Sequence, residues 1–218
     1  MNNQLMEEYL KETEFLDFNH SNFDSFVQDI DSSKNQKDLA IELYLKVRDQ
    51  FIYDPYHLDL TFEGLKASNV IPKKRSWCVE KALLLAAVAR KFEIPSRLGY
   101  AIVTNHIGVE KLVKLLRRDE IVFHGYTELF IDEKWVKCTP AFDARICKIT
   151  GVELLNWNGE EDSMFQEFEK GARFMEYLHY YGDFNNVPID LMNSEMKRYY
   201  PHLFDEVFDS KDFSFKHL

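Results

Sequence analysis

Cysteine, glycine and proline are all scarce in this 218-residue chain, which contains 3, 8 and 6 of them respectively. The cysteines, Cys78, Cys138 and Cys147, are odd in number and form no C-x-x-C pair, which argues against a disulfide framework and a structural zinc site. At least one of them is therefore a free thiol. Glycine and proline at about half their average usage exclude collagen-like, low-complexity and disordered chains.

Positive charge and long apolar runs are also lacking. The 27 basic side chains are outnumbered by 37 acidic ones, and the net charge of −10 repels phosphate backbones and anionic lipids. We therefore expect neither a nucleic-acid partner nor a membrane partner. No stretch approaches the ~20 consecutive apolar residues of a membrane span, and Met1 to Phe15 is too polar for a signal peptide. The expected location is the cytoplasm.

What the chain does have is the composition of a globular domain. Its 45% hydrophobic and 29% charged residues, over this length, predict one domain or a domain with an attached subdomain. The pattern divides the chain into N-terminal helices over residues 1–52, a core over residues 53–150 and a C-terminal extension over residues 151–218. We expect the N-terminal helices to pack on the core and the extension to belong to the same domain.

The sharpest pattern begins at Ser76, where a nearly all-apolar helix runs to Lys91 and must lie inside the domain. Around it, periodicity predicts helices over Ser21–Ile30, Asn35–Phe51 and Phe62–Ser68, a strand over Arg97–Thr104, an exposed helix over Gly108–Arg118, and strands over Ile121–Ile131 and Lys134–Ala141. The last two strands form an antiparallel hairpin that turns at Asp132-Glu133. The aromatic-rich chain beyond Pro140 lacks clean periodicity, so we expect it to be irregular and partly helical.

Cys78 lies in the first turn of the buried helix, with Ser76 as the predicted N-cap. The positive end of the helix dipole favours a thiolate, and the neighbouring Lys73, Lys74 and Arg75 act in the same direction. We therefore expect the pKa of this thiol to lie below the ~8.5 of a free cysteine. Backbone N–H groups of the same turn can stabilise an oxyanion. A buried structural cysteine explains the same pattern, so the nucleophile hypothesis needs a partner base.

His124 is the candidate base, because an imidazole accepts a proton from a thiol near neutral pH. A two-residue turn at Asp132-Glu133 places His124 opposite Ala141 and diagonal to Thr139, with roughly 7 Å between the β-carbons of the diagonal pair. A histidine on a half-apolar strand can equally be a structural group. The hypothesis rests on the combination of His124 with Cys78.

Two runs of sequence carry a family resemblance. The first extends from Arg75-Ser-Trp-Cys78 through Ile94-Pro-Ser-Arg97 to Tyr100, and the second is His124-Gly-Tyr-Thr-Glu-Leu-Phe-Ile-Asp-Glu-Lys-Trp135-Val-Lys-Cys-Thr-Pro140. Their order of cysteine helix, Ile-Pro-x-Arg strand, histidine strand and tryptophan strand resembles the core of the transglutaminase-like superfamily over about Tyr53 to Phe142. The run from Trp135 to Asp143 is similar to bacterial proteins known only as transglutaminase-like.

This resemblance implies an α+β, papain-like fold. In that fold a central helix bearing the cysteine packs on an antiparallel sheet that bears the histidine and a third polar residue, usually Asp. The resemblance also implies that Cys78 and His124 are catalytic.

The third position departs from the family pattern, since Thr139 precedes Pro140 where the superfamily usually has Asp. A threonine hydroxyl can fix the imidazole tautomer by a hydrogen bond, but it cannot stabilise an imidazolium by charge. Asp143 or Glu128 could supply that charge, although a structural carboxylate is an equally simple interpretation of each. We therefore predict Cys78, His124 and Thr139 as the catalytic set, with Asp143 and Glu128 as candidate supports.

Aromatic residues provide weaker candidates. Trp77 and Trp135 could wall the cleft, and the Trp77 indole N–H is a candidate second oxyanion donor, although packing explains both residues as well. The run Tyr53-Asp54-Pro55-Tyr56 could rim the cleft or simply terminate the preceding helix.

The residues and the resemblance together predict a cysteine-dependent amide or peptide hydrolase that forms a thioester with a carboxamide substrate. The expected partner is a peptide, a protein or a small carboxamide. We expect no cofactor and no metal, since the acidic residues show no EF-hand spacing. Two alternatives stay open: a non-catalytic peptide- or protein-binding module, motivated by the missing Asp, and an amine acyltransferase in the strict transglutaminase sense. The substrate and the oligomeric state cannot be read from the sequence.

Overall fold

The computed structural model describes residues 3–105, 110–164 and 175–218. The helices are α1 (Asn3–Glu8), α2 (Asn22–Phe26), α3 (Gln36–Gln50), α4 (Ala67–Val70), α5 (Cys78–Lys91), α6 (Glu110–Leu116), α7 (Ala144–Thr150), α8 (Ile189–Tyr199) and α9 (Pro201–Asp205). The strands are β1 (Ile52–Tyr53), β2 (His57–Asp59), β3 (Arg75–Ser76), β4 (Ser96–Asn105), β5 (Glu120–Ile131), β6 (Lys134–Cys138), β7 (Met175–Phe184), β8 (Phe208–Asp209) and β9 (Ser214–Lys216). Within these ranges no helix combines the length and the apolar character needed to cross a membrane.

Helix α5 lies at the centre of the fold because its sequence has no polar face. Every residue from Cys78 to Arg90 is buried, and the helix packs on β5 and β4 of a four-stranded antiparallel sheet. The strand order of that sheet is β6-β5-β4-β7. Burying a helix on all sides removes a large apolar area from water, which is the main stabilising contribution to such a core. The predicted α+β fold, with the cysteine helix on an antiparallel sheet, is confirmed.

The β5–β6 hairpin has the predicted register, but β6 is shorter than predicted and ends at Cys138. Pro140 has no N–H to donate to a sheet. The N–H of Thr139 donates to the carbonyl of Ser163 at 3.2 Å, so it leaves the hairpin as well. The cross-strand pair predicted for His124 therefore does not form.

The N-terminal part packs on the core through α3, whose first turn is capped by the Asn35 side chain accepting from the Asp38 N–H at 3.0 Å. A buried lysine in α5 ties α3 to the core. Nζ of Lys81 donates to the carbonyls of Arg48 and Ala141, each at 2.8 Å. Desolvation lowers the pKa of Lys81 to about 7. These two bonds hold α3 and the chain after β6 against the cysteine helix.

The chain after residue 143 contains more regular structure than its pattern indicated. Strand β7 pairs with β4 at the edge of the central sheet, and β9 pairs in parallel with β2. Much of β7 is exposed, so it lacks the alternation that marks a half-buried strand, and long-range pairing decides its conformation. Parts of two predicted segments, residues 106–109 and 165–174, lie outside the described residues.

Candidate active site

Cys78 is the first residue of α5, and Trp77 is the N-cap in place of the predicted Ser76. The Ser76 hydroxyl donates to the Glu80 carboxylate at 2.9 Å, and the same oxygen accepts from the Trp77 N–H at 3.4 Å. Glu80 therefore organises the start of the helix. The Cys78 side chain is 3% exposed and sits in the turn whose N–H groups have no partner within the helix.

Strand β5 meets the start of α5 at Gly125. A β-carbon at this position would lie 2.9 Å from Val79 Cα and 3.3 Å from the Cys78 carbonyl oxygen, so a side chain would push helix and strand apart. The Gly125 N–H hydrogen-bonds the Cys78 thiol. The sulfur thus lies against the residue that directly follows His124.

The thiol itself is held in its protonated form. Burial raises the pKa of Cys78 to about 11, although hydrogen bonds from the backbone at Gly125 and Val79 and from the Tyr53 hydroxyl lower it. The expectation of a lowered pKa is wrong for this conformation, because desolvation of the sulfur outweighs the donors around it.

Carboxylates engage two of the three cations upstream of the cysteine. Nζ of Lys73 pairs with Glu80 at 2.5 Å, and the Arg75 guanidinium lies 3.6 Å from Asp54. The charges of Lys73 and Arg75 are therefore partly offset in the fold.

His124 follows an irregularity in β5. Between the pairs Ala101–His124 and Val103–Ile121, two residues of β5 face one residue of β4, which is a β-bulge. Phe123, inside the bulge, has φ 59°, a left-handed conformation that is strained for an aromatic residue. Such bulges redirect the neighbouring side chains and are common beside active sites. Here the bulge directly precedes His124.

The imidazole of His124 is buried and neutral. Its residue is 1% exposed, and burial lowers its pKa to about 4. Among the described residues, Nε2 has no hydrogen-bond partner. The ring packs edge-on against Tyr177 with 6.0 Å between centroids. In this conformation the Cys78 thiol and the His124 ring line two separate cavities, so the close approach predicted for them stays a prediction.

Thr139 borders the same small cavity as His124, but its hydroxyl has other partners. It lies 3.5 Å from the Met164 sulfur and hydrogen-bonds the Tyr177 hydroxyl, which itself donates to the Met164 carbonyl at 3.3 Å. The hydrogen bond predicted between Thr139 and the imidazole is not formed at Nε2. The sequence thus places Thr139 beside His124 but does not determine where its hydroxyl points.

Four buried side-chain polar atoms lack hydrogen-bond partners among the residues that the structure describes: Trp77 Nε1, the Tyr100 hydroxyl, His124 Nε2 and Glu128 Oε1. Trp77 precedes Cys78 and lines its cavity, and Tyr100 faces Gly125 across the sheet, within electrostatic range of the sulfur. Such atoms are rare, because each costs about 1–3 kcal/mol of folding free energy. The atoms of Trp77 and Tyr100 lie near the Cys78 thiol, whereas His124 lines a separate cavity.

The thiol opens onto a narrow, mainly apolar pocket. Its wall comes from distant parts of the chain and consists of Tyr53, Pro55, Leu58, Trp77, Leu112, Leu116, Ile121, Val122, Met196 and Tyr200. The free volume of about 30 Å³ holds one or two water molecules. A group larger than this therefore enters only when wall side chains move.

Comparison with known families tests the resemblance that the two runs of sequence carry. Residues 24–140, more than half of the chain, match the transglutaminase-like superfamily. The chain belongs to the transglutaminase-like superfamily. The matched range includes Cys78, His124 and Thr139.

Individual proteins are much more distant from this transglutaminase-like chain. No curated protein matches it. Among solved structures it is similar to a candidate cysteine protease from Cytophaga hutchinsonii, with 12% sequence identity and a TM-score of 0.47. The alignment covers 84% of this chain and 55% of the other, so the chain spans about half the length of that protein.

The two carboxylates considered as replacements for the Asp of the transglutaminase-like superfamily have other partners. Asp143 accepts from the backbone N–H groups of Tyr53 at 2.7 Å and Arg145 at 2.8 Å, and so caps α7. Glu128 accepts from Arg97 through two bonds of 3.0 and 2.6 Å. The bonds of both carboxylates thus go to donors other than His124. Within the described ranges, no three His, Cys, Asp or Glu side chains cluster as metal ligands.

The two tryptophans of the transglutaminase-like core lie in different parts of the structure. Trp77 lines the thiol pocket, as expected. Trp135 lies over the Arg97 guanidinium at 4.3 Å and packs edge-on against Tyr9 at 5.0 Å, so its predicted place in the cleft wall is wrong. The contact with the Arg97 guanidinium is a cation–π interaction that spans from β6 to β4.

Three tyrosines at the site were missed or undervalued from the sequence. Tyr53 contacts the thiol, although it was considered only as a rim residue, and Tyr100 ends the first family run without having been assigned a role. Tyr177 lies in the stretch without periodicity. Only the Asp54-Pro55 turn beside Tyr53 gave a local signal, because the contacts of the other two depend on pairing between distant strands.

Proposed function

We propose that this protein is a cysteine-dependent amide or peptide hydrolase in which Cys78 is the nucleophile and His124 is the general base. The observation that carries the proposal is a thiol at a helix N-terminus beside unpartnered polar atoms of Trp77 and Tyr100, together with a buried, unpartnered nitrogen on His124. Membership of the transglutaminase-like superfamily supports it. A fold alone does not select the reaction, so the argument rests on the site.

The reaction begins with the thiol proton passing to Nε2 of the neutral His124 imidazole. The sulfur attacks the carboxamide carbon and forms an S–C bond, and the carbonyl oxygen takes the negative charge. In this proposal, backbone N–H groups at the start of α5 and the Trp77 indole N–H donate to that oxyanion. The C–N bond then breaks while His124 returns its proton to the leaving amine, which leaves a thioester on Cys78.

Hydrolysis completes the cycle. Water attacks the thioester with His124 as base, the S–C bond breaks, and a carboxylic acid and the free thiol are released. Because burial keeps both groups neutral in the free protein, proton transfer belongs to the reaction itself and no preformed thiolate–imidazolium pair is needed. The substrate carbonyl and amide supply the hydrogen bonds that the unpartnered atoms lack, which favours the charged state during attack.

Thr139 stays the proposed third member of the set, because it borders the His124 cavity. Its hydroxyl has to leave the Met164 sulfur before it can orient the imidazole. As a neutral group it contributes less to the reaction than a carboxylate at the same position would.

A second candidate function is a non-catalytic recognition module for a peptide or protein. One observation favours it: burial raises the pKa of Cys78 to about 11, so the thiol is a poor nucleophile unless the pocket opens.

Ammonia release from a panel of glutamine, asparagine and peptide amide substrates tests the proposal. The wild-type protein should turn over at least one of them, Cys78→Ser should abolish turnover, and the control Cys147→Ser should retain it. Adding a primary amine separates the two enzymatic alternatives, since incorporation of the amine in place of hydrolysis would identify an acyltransferase. No turnover, together with undiminished peptide binding by Cys78→Ala, would identify the recognition module.

A further inference from the structure

Tyr53 connects the thiol to a second part of the fold. It lies in β1, which pairs in parallel with β3 and places Tyr53 opposite Ser76, two residues before Cys78. Its ring packs against Phe142 with 4.6 Å between centroids. Its hydroxyl hydrogen-bonds the Cys78 thiol, and both residues line the same pocket.

The backbone of the same residue is held by a carboxylate. Oδ2 of Asp143 accepts from the Tyr53 N–H at 2.7 Å, while Oδ1 accepts from the Arg145 N–H at 2.8 Å at the start of α7. Asp143 is 3% exposed, so this charge-assisted pair of bonds is shielded from water. The chain of contacts runs from Asp143 through Tyr53 to the sulfur of Cys78.

We propose that Tyr53 is a catalytic residue whose hydroxyl donates to the Cys78 sulfur, and that Asp143 is a positioning residue that acts through Tyr53. The inference rests on the proposed function, since it assigns a role within the same cysteine chemistry. It also gives Asp143 a role at the site without a contact to His124.

Tyr53 is suited to be a permanent donor. Burial raises its pKa well above the ordinary 10, and the neighbouring Cys78 raises it further, so the hydroxyl keeps its proton at working pH. When His124 removes the thiol proton, the Tyr53 O–H stabilises the negative sulfur until the S–C bond forms. No proton leaves Tyr53 in this step, and the only proton that moves is the one passed from Cys78 to His124.

The other titratable side chains near the sulfur do not substitute for Tyr53. Tyr100 on β4 and Tyr177 on β7 are within electrostatic range of Cys78, and burial raises the pKa of both. Both are therefore neutral near pH 7. Among the described residues, Tyr53 is the one of these tyrosines whose hydroxyl hydrogen-bonds the thiol.

The pH dependence of alkylation tests the proposal without a known substrate. Iodoacetamide labelling is followed by mass spectrometry of the Cys78 peptide, so that Cys138 and Cys147 do not contribute. Tyr53→Phe should raise the midpoint pH by about one unit, which is a tenfold smaller thiolate fraction at a given pH. The control Tyr56→Phe removes a hydroxyl three residues further along the same segment and should leave the midpoint unchanged.

A double variant tests whether Asp143 acts through Tyr53. Asp143→Asn keeps one acceptor oxygen for two donors and should also raise the midpoint. Tyr53→Phe combined with Asp143→Asn should then have the midpoint of Tyr53→Phe alone. Additive shifts would show that Asp143 reaches the sulfur by another route and would overturn its positioning role.

Replacing Tyr53 with 3-fluorotyrosine keeps the ring and makes the hydroxyl a stronger donor, so the midpoint should fall. This substitution serves if Tyr53→Phe does not fold, as judged by circular dichroism. An unchanged midpoint in either variant overturns the role of Tyr53 while leaving Cys78 and His124 as the proposed pair. Absence of Cys78 alkylation at every pH overturns both this inference and the proposed hydrolase.

Discussion

His124 and Glu128 lie four residues apart on β5, and both are ionisable groups buried to 1% exposure. Arg97 donates two hydrogen bonds to Oε2 of Glu128, and Nζ of Lys137 lies 3.9 Å from Oε1, which has no hydrogen-bond partner among the described residues. In the same ranges, Nε2 of His124 has no hydrogen-bond partner, and no cation partner like Arg97 stands beside the ring.

The difference separates two uses of a buried ionisable group. Glu128 ties β5 to β4 through Arg97, which also lies 3.0 Å from Asp183 on β7. Burial raises the pKa of Glu128 against the pull of Arg97, and Asp183 adds to the rise. His124 instead stands beside a strained bulge with a free nitrogen. A buried group with internal partners stabilises the fold, whereas one without them is available to a ligand.

The largest expected difference is in activity. His124→Ala should lower kcat/KM for the best amide of the panel by about 10²–10⁴, because it removes the general base. Glu128→Gln, four residues further along the same strand, should alter kcat/KM by less than about threefold, since it changes a buried structural pair with Arg97 and no group that takes part in the reaction. Equal losses of kcat/KM in the two variants would remove the functional distinction between His124 and Glu128.

A substitution at Gly125 should disturb the contact between β5 and the start of α5, where Cys78 lies. In Gly125→Ala the new methyl group meets Val79 Cα at 2.9 Å, so helix and strand must separate. We expect a loss of about 1–3 kcal/mol in the free energy of unfolding and roughly tenfold slower alkylation of Cys78. Urea unfolding and iodoacetamide labelling measure the two effects. Thr127→Ser is the control, because a serine hydroxyl can keep the bond to the Ala82 carbonyl that Thr127 makes at 2.9 Å.

The two residues should give opposite pH dependences of stability. The folded-state pKa of His124, about 4, lies below its ordinary 6.5, so the unfolded chain binds a proton first and stability falls as pH decreases through this window. The loss between pH 6.5 and 5 should be about 1.5 kcal/mol.

Glu128 has the reverse sign. Its folded-state pKa is raised, so its contribution to stability is present at low pH and is lost as pH rises from its ordinary value near 4.5 through the folded-state pKa. Urea unfolding of His124→Gln and Glu128→Gln across this range should give slopes that deviate from wild type in opposite directions. Deviations of the same sign would contradict the two assigned environments.

The smallest expected effect concerns Thr139. Its hydroxyl contacts Met164 and Tyr177 in the free protein, so Thr139→Val should lower kcat by a factor of about ten or less, equivalent to about 0.5–1.5 kcal/mol. Thr139→Asp should hold or raise kcat, because it supplies the charge partner usual in the superfamily. A loss as large as that of His124→Ala would mean that the threonine does more than orient the ring.

Several parts of the fold were predictable because they depend on local pattern. The apolar run after Cys78 required a buried helix, and the hairpin register followed from the two-residue turn at Asp132-Glu133. The extent of β6 was not predictable, because its C-terminal end is set by a hydrogen bond from the Thr139 N–H to the carbonyl of Ser163, a residue far along the chain. The same holds for β7, an exposed edge strand whose partner β4 lies about 80 residues earlier in the numbering.

The sequence by itself determined the family, the position of Cys78 at a helix start, and the placement of His124 and Thr139 near one another. Only the tertiary structure decided their protonation and their partners. Desolvation depends on everything packed around a group, so burial raised the pKa of Cys78 although its neighbours in sequence favoured a thiolate. Likewise, the contact of Tyr53 with the sulfur needs β1, β3 and Asp143 brought together from three separate segments. Local pattern specifies which groups are available, and packing specifies which of them meet.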